Sequence, residues 1–241
     1  MDSGKELFGY GELAFFGKVN ASISHELKNV MAIISETAGL LGDLSDLASS
    51  GSSIEPDMLR NCTESIIEEI ERGFSTIRQM NRFAHSVDAP IAEVDLTALI
   101  ELVVALAGFL SFSGKARLHP VQGDAPTVYT CPFIVQAIIY QALVYAYKTS
   151  GIKTELDISV EPRQDSGWRI VFSRFYPGDF EIFPDAGTKA MASAVGMTIR
   201  LNHTADRLEL DVPASIDRLG RQSDAPDGKL ETRSSERVGR P

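Results

Sequence analysis

The sequence has only two cysteines, no long apolar run and no excess of basic residues. Cys62 and Cys131 are isolated and lack metal-ligand spacing, which argues against a disulfide scaffold or a zinc site and fits a reducing compartment. No apolar run approaches the ~18 residues of a membrane span. The first residues also lack the basic start and apolar stretch of a secretory signal, so we expect a cytoplasmic protein.

The charge balance of the chain is acidic, with 23 Lys and Arg against 33 Asp and Glu and a net charge of −10. Nucleic acids and anionic membrane surfaces repel such a protein, so neither is an expected partner. Hydrophobic residues make up 44% of the 241 residues, which is enough for a packed core in one large or two small domains.

Proline is absent from residues 12–48, and apolar residues recur there with a seven-residue period. One line consists of Phe16, Ile23, Val30, Thr37 and Leu44, and a second consists of Leu27, Ile34, Leu41 and Ala48. Two such lines predict one long helix with a coiled-coil-like stripe. A second helix is predicted from Pro56 to the residues before Asp88. Its apolar side chains recur at threes and fours, namely Leu59, Cys62, Ile66, Ile70, Phe74, Ile77 and Ala84.

Two long helices joined by the short connector at 49–53 predict an antiparallel hairpin within residues 1–88. Such a hairpin has too little core to stand alone, so we expect it to dimerise into a four-helix bundle. The alternative is that both apolar stripes pack against the second domain of the same chain.

Residues 89–213 predict an α/β sandwich, in which helices cover one face of a mixed sheet. The predicted strands are 94–96, 116–119, 154–160, 168–173, 197–202 and 208–212, and the predicted helices are 97–112, 132–148 and 188–195. The segment 174–187 is expected to be a loop. Residues 214–241 are rich in Arg, Ser, Asp and Gly, so we expect a disordered tail.

One cluster of polar residues, SISHELKNV at 22–30, interrupts the apolar pattern of the first helix. His25 lies between the seam positions Ile23 and Leu27. At ~100° per residue it therefore points away from the seam, toward solvent. A neutral imidazole titrates near pH 7 and offers a ring nitrogen that can attack phosphorus. His25 is thus a candidate nucleophile.

The neighbours of His25 carry complementary chemistry. Glu26 could hold the proton of the other ring nitrogen and raise the nucleophilicity of the first. Lys28 could contact a phosphoryl oxygen, and Asn29 lies one turn along the same face, where it could position a water. The alternative is a solvated helix face on which these polar residues have no chemical role.

The order of residues 17–29, GKVNASISHELKN, resembles the phospho-acceptor box of bacterial sensor histidine kinases. The predicted hairpin resembles their dimerisation and histidine-phosphotransfer domain, and the elements after it resemble their ATP-binding domain. The resemblance covers roughly residues 10–212. It implies that His25 receives the phosphoryl group, that Glu26 acts as general base, and that Asn29 supports dephosphorylation of a response regulator. The sequence departs from the family at Val30, where the family usually has proline.

The nucleotide-binding motifs of that family are degenerate in this chain. The stretch that should read Asn-Leu-Leu-x-Asn-Ala begins at Gln141 and has Tyr145 where the magnesium-coordinating asparagine belongs. A phenol is a poor ligand for a hard, octahedral cation. The segment 174–180 lacks Asp-x-Gly-x-Gly, and the glycine-rich box is reduced to residues 187–191, whose single glycine gives few backbone N–H groups to phosphates.

These features predict a histidine phosphotransferase of a two-component phosphorelay, with a degenerate kinase-type ATP-binding sandwich. His25 would pass a phosphoryl group between the aspartates of response-regulator receiver domains without using ATP, and no sensor module is expected. We expect no cofactor or metal on this chain, because Mg²⁺ would come with the receiver domain. The receiver is expected to dock beside His25, near Ile33, Ser35 and residues 70–74 of the second helix.

Three alternatives remain open. The chain could be a divergent but active histidine kinase in which Gln141 or Asp179 replaces the missing contacts. It could be a non-catalytic dimeric adaptor that only binds a regulator, or a response-regulator phosphatase that uses Asn29 without phosphorylation of His25.

Overall fold

The structure is a computed structural model that describes residues 9–108, 115–121, 123–150, 155–164, 166–174, 183–202 and 205–216. The helices are α1 (Tyr10–Ser49), α2 (Pro56–Ala84), a 3-10 turn (His85–Val87), α3 (Leu96–Gly108), α4 (Pro132–Ser150) and α5 (Ala186–Ala194). The strands are β1 (Ala92–Asp95), β2 (Lys115–Leu118), β3 (Thr127–Thr130), β4 (Glu155–Pro162), β5 (Trp168–Ser173), β6 (Thr198–Asn202) and β7 (Arg207–Val212). None of the described helices combines the length and apolar character needed to cross a membrane.

Helices α1 and α2 form the predicted hairpin. The first apolar line of α1 is the buried one, with Ile23, Val30 and Leu44 at most 5% exposed. Val30 meets Gly73 of α2, where a β-carbon added to the glycine would lie only 3.3 Å from Val30 Cγ1. The absence of a side chain at Gly73 therefore lets the two helices approach closely at this level.

The apolar residues predicted for α2 lie on two faces of the helix. The residues of α2 that are buried are Cys62, Gly73, Thr76 and Phe83. The neighbouring stripe is exposed, with Ile67 at 51%, Ile70 at 43%, Phe74 at 58% and Ile77 at 39%. Most of the predicted seam of α2 is therefore not covered by α1, and the single chain leaves it open to solvent.

The described strands form a five-stranded sheet in the order β2-β4-β5-β7-β6 and a two-stranded sheet of β1 and β3. Strands β2 and β4 run parallel, and the other neighbours in the large sheet are antiparallel. One face of the large sheet is buried, through Leu156, Ile158, Val160, Ile170, Phe172, Leu208, Leu210 and Val212. The chain is thus helical with a mixed sheet, as the sequence predicts.

Two findings differ from the predicted layout of the second domain. The structure contains a strand, β3, that the sequence does not predict, and this strand pairs antiparallel with β1. The segment assigned to a disordered tail begins with ordered residues, because Tyr129 N–H donates to the Ala214 carbonyl and Ile216 N–H donates to the Tyr129 carbonyl. Ile216 is buried, so the predicted boundary at 213 falls inside a packed contact. The rest of the tail, 217–241, and the predicted end of α3 at 109–112 lie outside the described residues.

A cluster of aromatic rings joins the base of the hairpin to the α/β unit. Phe15 of α1 lies 5.5 Å from Phe83, 5.5 Å from Phe133 and 5.0 Å from Tyr140, measured between ring centroids. Phe16 stacks on Phe83 at 5.4 Å. These rings belong to the same continuous core as the sheet and α4, so the base of the hairpin and the α/β unit share one core.

Candidate active site

His25 lies on an exposed turn of α1 whose neighbouring turns are anchored. Ser22 and Ile23 are buried just before it, and Val30 is buried just after it. The helix runs without interruption from Tyr10 to Ser49. The backbone that carries the imidazole is therefore fixed by packing on one side while the ring faces solvent on the other.

Asn29 is the side chain that contacts the imidazole. Its amide nitrogen lies 3.3 Å from His25 Nδ1, one helical turn away. In this orientation the amide donates and Nδ1 accepts, which puts the ring proton on Nε2. When the amide turns over, its oxygen accepts from Nδ1–H and the lone pair of Nε2 is free to react. Nε2 has no hydrogen-bond partner among the described residues.

Among the described residues, Glu26 makes no hydrogen bond to the imidazole, and its carboxylate binds across the hairpin. Arg72 of α2 donates from Nε to Glu26 Oε1 at 2.7 Å, and its Nη2 lies 2.6 Å from the same oxygen. Nη1 of Arg72 donates to Glu69 at 2.9 and 3.1 Å. The hydrogen bond to Glu26 raises the pKa of Arg72 above its usual value, with burial opposing it. Glu26 follows His25 directly, and consecutive residues on a helix point about 100° apart, so the two side chains face different directions.

Lys28 is exposed and makes no ion pair with any described residue. It lies three positions after His25, so both side chains share one helical surface. Its ammonium group is therefore available to an anion that approaches the imidazole.

One position matched to the nucleotide site, Tyr145, packs against a second aromatic ring. Tyr145 of α4 is 3% exposed, and its ring stacks on Phe183 with centroids 4.7 Å apart and planes 13° apart. Gln141 lies one turn earlier on α4 and is partly buried. Most of the segment expected to carry Asp-x-Gly-x-Gly, including Asp179, lies outside the described residues.

The reduced glycine box opens α5, and a carboxylate already occupies the start of that helix. Asp185 Oδ1 accepts a hydrogen bond from the Thr188 backbone N–H at 2.7 Å. This bond, with a further one from the Thr188 hydroxyl, holds the pKa of Asp185 below its usual range, while burial opposes the shift. An acidic N-cap places negative charge where a phosphate-binding turn needs free N–H donors.

Sequence reasoning missed Arg72, Phe183 and Asp185. The order Asp-Ala-Gly-Thr is an N-cap pattern and could have identified Asp185. Arg72 is 46 residues from Glu26, and no local pattern links the two. No group of three or more His, Cys, Asp or Glu within the described residues is arranged to hold a metal ion.

No protein-family model matches the chain, and no curated protein matches its sequence. Among solved structures, the chain is similar to the histidine kinase AdeS of Acinetobacter baumannii, with 12% identity over 79% of this chain and 98% of that one and a TM-score of 0.42. It is similar to a bacterial phosphotransferase, with 13% identity over 83% of this chain and 95% of that one and a TM-score of 0.44. It is also similar to the cytoplasmic segment of the histidine kinase QseC, with 14% identity, coverage of 67% and 97%, and a TM-score of 0.40. At these identities no residue role transfers to this chain.

Proposed function

We propose that this chain is a histidine phosphotransferase of a two-component phosphorelay, and that His25 is the residue it phosphorylates. The observation that carries the proposal is the imidazole itself, exposed on an anchored turn of α1, with Nδ1 beside Asn29. One ring nitrogen is thereby oriented by the protein, and the other is available to an external donor. The donor and acceptor are receiver-domain aspartates.

The reaction is an exchange of one bond to phosphorus. The lone pair of Nε2 attacks the phosphorus of an aspartyl phosphate, the N–P bond forms, and the P–O bond breaks with its electron pair on the aspartate carboxylate. The Nδ1 proton, held toward the Asn29 oxygen, leaves to solvent. Lys28 stabilises the negative charge on the phosphoryl oxygens. The reverse sequence passes the group to a second receiver, and Mg²⁺ is supplied by the receiver domains.

Two features support transfer without ATP. Tyr145 stands where the resemblance to the kinases expects a metal-coordinating asparagine, and its ring stacks on Phe183. The Asp185 carboxylate caps α5 and would repel nucleotide phosphates at the position of the glycine-rich box. Filled space on one side and a fixed negative charge on the other both oppose productive nucleotide binding.

The aromatic cluster around Phe15 supports a scaffolding role for the α/β unit. A domain that delivers a phosphoryl group to the hairpin must move toward it, and such motion needs an interface that can open. Here the rings of Phe15, Phe83 and Phe133 lie 5.5 to 6.0 Å apart within one core. The α/β unit is therefore proposed to hold the hairpin and to offer a docking surface.

The uncovered stripe of α2 supports the proposal that two copies associate into a four-helix bundle. Ile67, Ile70 and Phe74 form a contiguous exposed line, and covering it removes apolar surface from water. We expect Ile67→Glu to convert a dimer to a monomer, measured as solution mass by light scattering. Leu13→Glu, at a similarly exposed apolar site, is the control and should stay dimeric. A wild-type chain of monomeric mass at micromolar concentration would contradict the proposal.

Receiver docking is proposed beside His25, over Ile33, Ser35 and residues 70–74. Because this surface shares Ile70 and Phe74 with the stripe proposed for the dimer interface, solution mass and transfer rate should be measured on the same variants. A substitution such as Ser35→Arg that slows transfer at unchanged mass identifies the docking face. Unchanged transfer rates throughout this set would exclude it.

The test of the function compares two phosphoryl donors. The chain is incubated with phosphorylated receiver domains and, separately, with ATP and Mg²⁺, and acid-labile label is measured on wild type, His25→Gln and His85→Gln. His85 is exposed but lies outside the site, so its variant is the matched control. Label from receivers alone, lost only in His25→Gln, is the expected result.

The other outcomes identify the alternatives. Label from ATP alone means an autokinase. Receiver binding without label on any residue means an adaptor. Accelerated loss of receiver label that persists in His25→Gln and disappears in Asn29→Ala means a phosphatase.

A further inference from the structure

Arg72 is a residue of α2 that ties this helix to the phosphorylation site by charge. Its guanidinium uses Nε and Nη2 on Glu26 at 2.7 and 2.6 Å, and Nη1 on Glu69 at 2.9 Å. The two carboxylates are 15% and 14% exposed, and the arginine side chain is 42% exposed. All three guanidinium nitrogens are thus engaged by partly buried carboxylates, a geometry that fixes both helices.

This arrangement changes what Glu26 can do. To reach the imidazole, its carboxylate would have to leave a charge-assisted, two-nitrogen contact with Arg72 of α2. In its bound position the carboxylate instead fixes the rotation of α1 about its axis. That rotation determines the direction in which His25, one residue earlier, presents its ring.

We infer that Arg72 is a positioning residue for phosphoryl transfer at His25 and acts through Glu26. The inference rests on the proposed function, because it assigns a role within that reaction. Without Arg72, the carboxylates of Glu26 and Glu69 face each other without a counter-ion, and repulsion between them turns α1 relative to α2. The site would also gain negative charge beside a group that must accept an anion.

The primary test is a kinetic cycle of Arg72→Gln, Glu26→Gln and the double variant, with phosphorylated receiver as donor. We expect Arg72→Gln to lower kcat on the order of tenfold, since the orientation of His25 is lost. Arg72 also lies within the segment 70–74 proposed for receiver docking, so KM is measured separately, and a higher KM at unchanged kcat would assign Arg72 to docking instead. The double variant should be no slower than Glu26→Gln alone, because residues that act through one contact are not additive. Arg72→Lys keeps the positive charge but lacks the two-nitrogen hydrogen-bonding geometry of the guanidinium, so it should recover part of kcat.

Arg78→Gln is the matched control. It lies on the exposed side of α2, and no ion pair of the described residues involves it. It should leave both kinetic constants unchanged. Multiplicative losses of kcat in the double variant, or an unchanged kcat in Arg72→Gln, would overturn the inference. Labelling of His25 in the wild type would in that case still support the proposed function.

A second measurement keeps the inference testable if no receiver transfers to wild type. Phosphoramidate is a small donor that needs no docking, and its labelling of His25 is read against a His25→Gln background. We expect labelling in Arg72→Gln to be at least ~3-fold slower than in wild type and in Arg78→Gln. Equal labelling rates in the three proteins would rule out the positioning role of Arg72. Circular dichroism confirms that each variant is folded.

Discussion

Asp185 is a single carboxylate that sets both the start of α5 and the charge at that point. It accepts from the Thr188 backbone N–H at 2.7 Å, which satisfies one of the N–H groups that a helix start leaves unpaired. Its pKa lies below the usual range because of this bond and of the Thr188 hydroxyl. The same negative charge opposes any anion at this helix end.

The cap predicts a defined response to substitution and to pH. Asp185→Ala should cost about 1 kcal/mol in the free energy of unfolding at pH 7, and Asp185→Asn should cost less because asparagine also caps. A depressed folded-state pKa means that the carboxylate contributes fully above its unfolded pKa of about 3.9 and loses the contribution as the pH falls through the folded value. The difference between wild type and Asp185→Asn should therefore change only below about pH 4.

Urea unfolding at pH 7 and pH 3 measures both effects. Asp206→Asn, an exposed acid in the β6–β7 turn, controls for the general loss of one negative charge. An Asp185→Ala chain as stable as wild type at pH 7 would mean that the cap carries no net stability.

The open face of the large sheet is held by a buried carboxylate among arginines. Asp211 of β7 is 2% exposed. It accepts from Arg169 Nε of the neighbouring strand at 2.6 Å and also binds Arg200 of β6. The carboxylate thus ties β5, β7 and β6 together on the face that the helices do not cover.

We expect Asp211→Asn to lower the free energy of unfolding by about 2 kcal/mol. Breaking a fully buried ion pair costs more, but Arg169 and Arg200 are 32% and 53% exposed and water screens the charges left behind. Glu161→Gln, an exposed acid of β4, should change stability by less than ~0.5 kcal/mol. Similar costs for the two substitutions, measured by urea unfolding, would mean that burial of Asp211 is not what matters.

Local pattern predicts elements well where packing and periodicity agree. Strand β5 has the predicted bounds, and the continuous apolar run of α4 predicts that helix. Strand β3 has only four residues after Pro126, and its partner β1 is 32 or more positions away in sequence. Nothing local marks such a strand. Its formation depends on a pairing that only the tertiary structure supplies.

The candidate site, like the fold, can be predicted from the sequence only in part. The outward direction of His25 follows from helical periodicity, and the structure agrees. The roles of its neighbours do not follow from periodicity. Arg72 lies on the second helix and binds the carboxylate of Glu26, which adjacency alone would pair with the imidazole. For α2, periodicity identifies the apolar residues but not which of two adjacent faces α1 covers.

The charge of the whole molecule is concentrated at one end of the hairpin. Residues 31–71 contain nine Asp and Glu and one Arg, a net charge of −8 out of −10 for the chain. Two copies packed side by side would bring these segments together, and repulsion between exposed charges weakens as salt shortens the Debye length to about 8 Å at 0.15 M. The proposed dimer should therefore tighten with added salt, measured as its dissociation constant by sedimentation. Weaker association in salt would contradict it.

The aromatic cluster determines how the hairpin and the α/β unit unfold. Phe15 is 2% exposed and touches Phe83, Phe133 and Tyr140. Tyr140 is 3% exposed, and this burial raises its pKa to about 12. Since these rings connect the two parts through one core, wild type is expected to unfold in a single transition.

Phe15→Ala should separate that transition into two. Removing a buried ring costs about 3 kcal/mol or more, and here the loss falls on the contact between the parts rather than within either. The only tryptophan, Trp168, lies in β5 and reports the α/β unit by fluorescence, whereas ellipticity at 222 nm reports mainly the long helices. In wild type the two urea curves should coincide, and in Phe15→Ala the fluorescence midpoint should lie apart from the ellipticity midpoint. Leu13→Ala, 63% exposed on the same helix, should leave them coincident. Coincident curves in Phe15→Ala would mean that the hairpin and the α/β unit stay coupled without this ring.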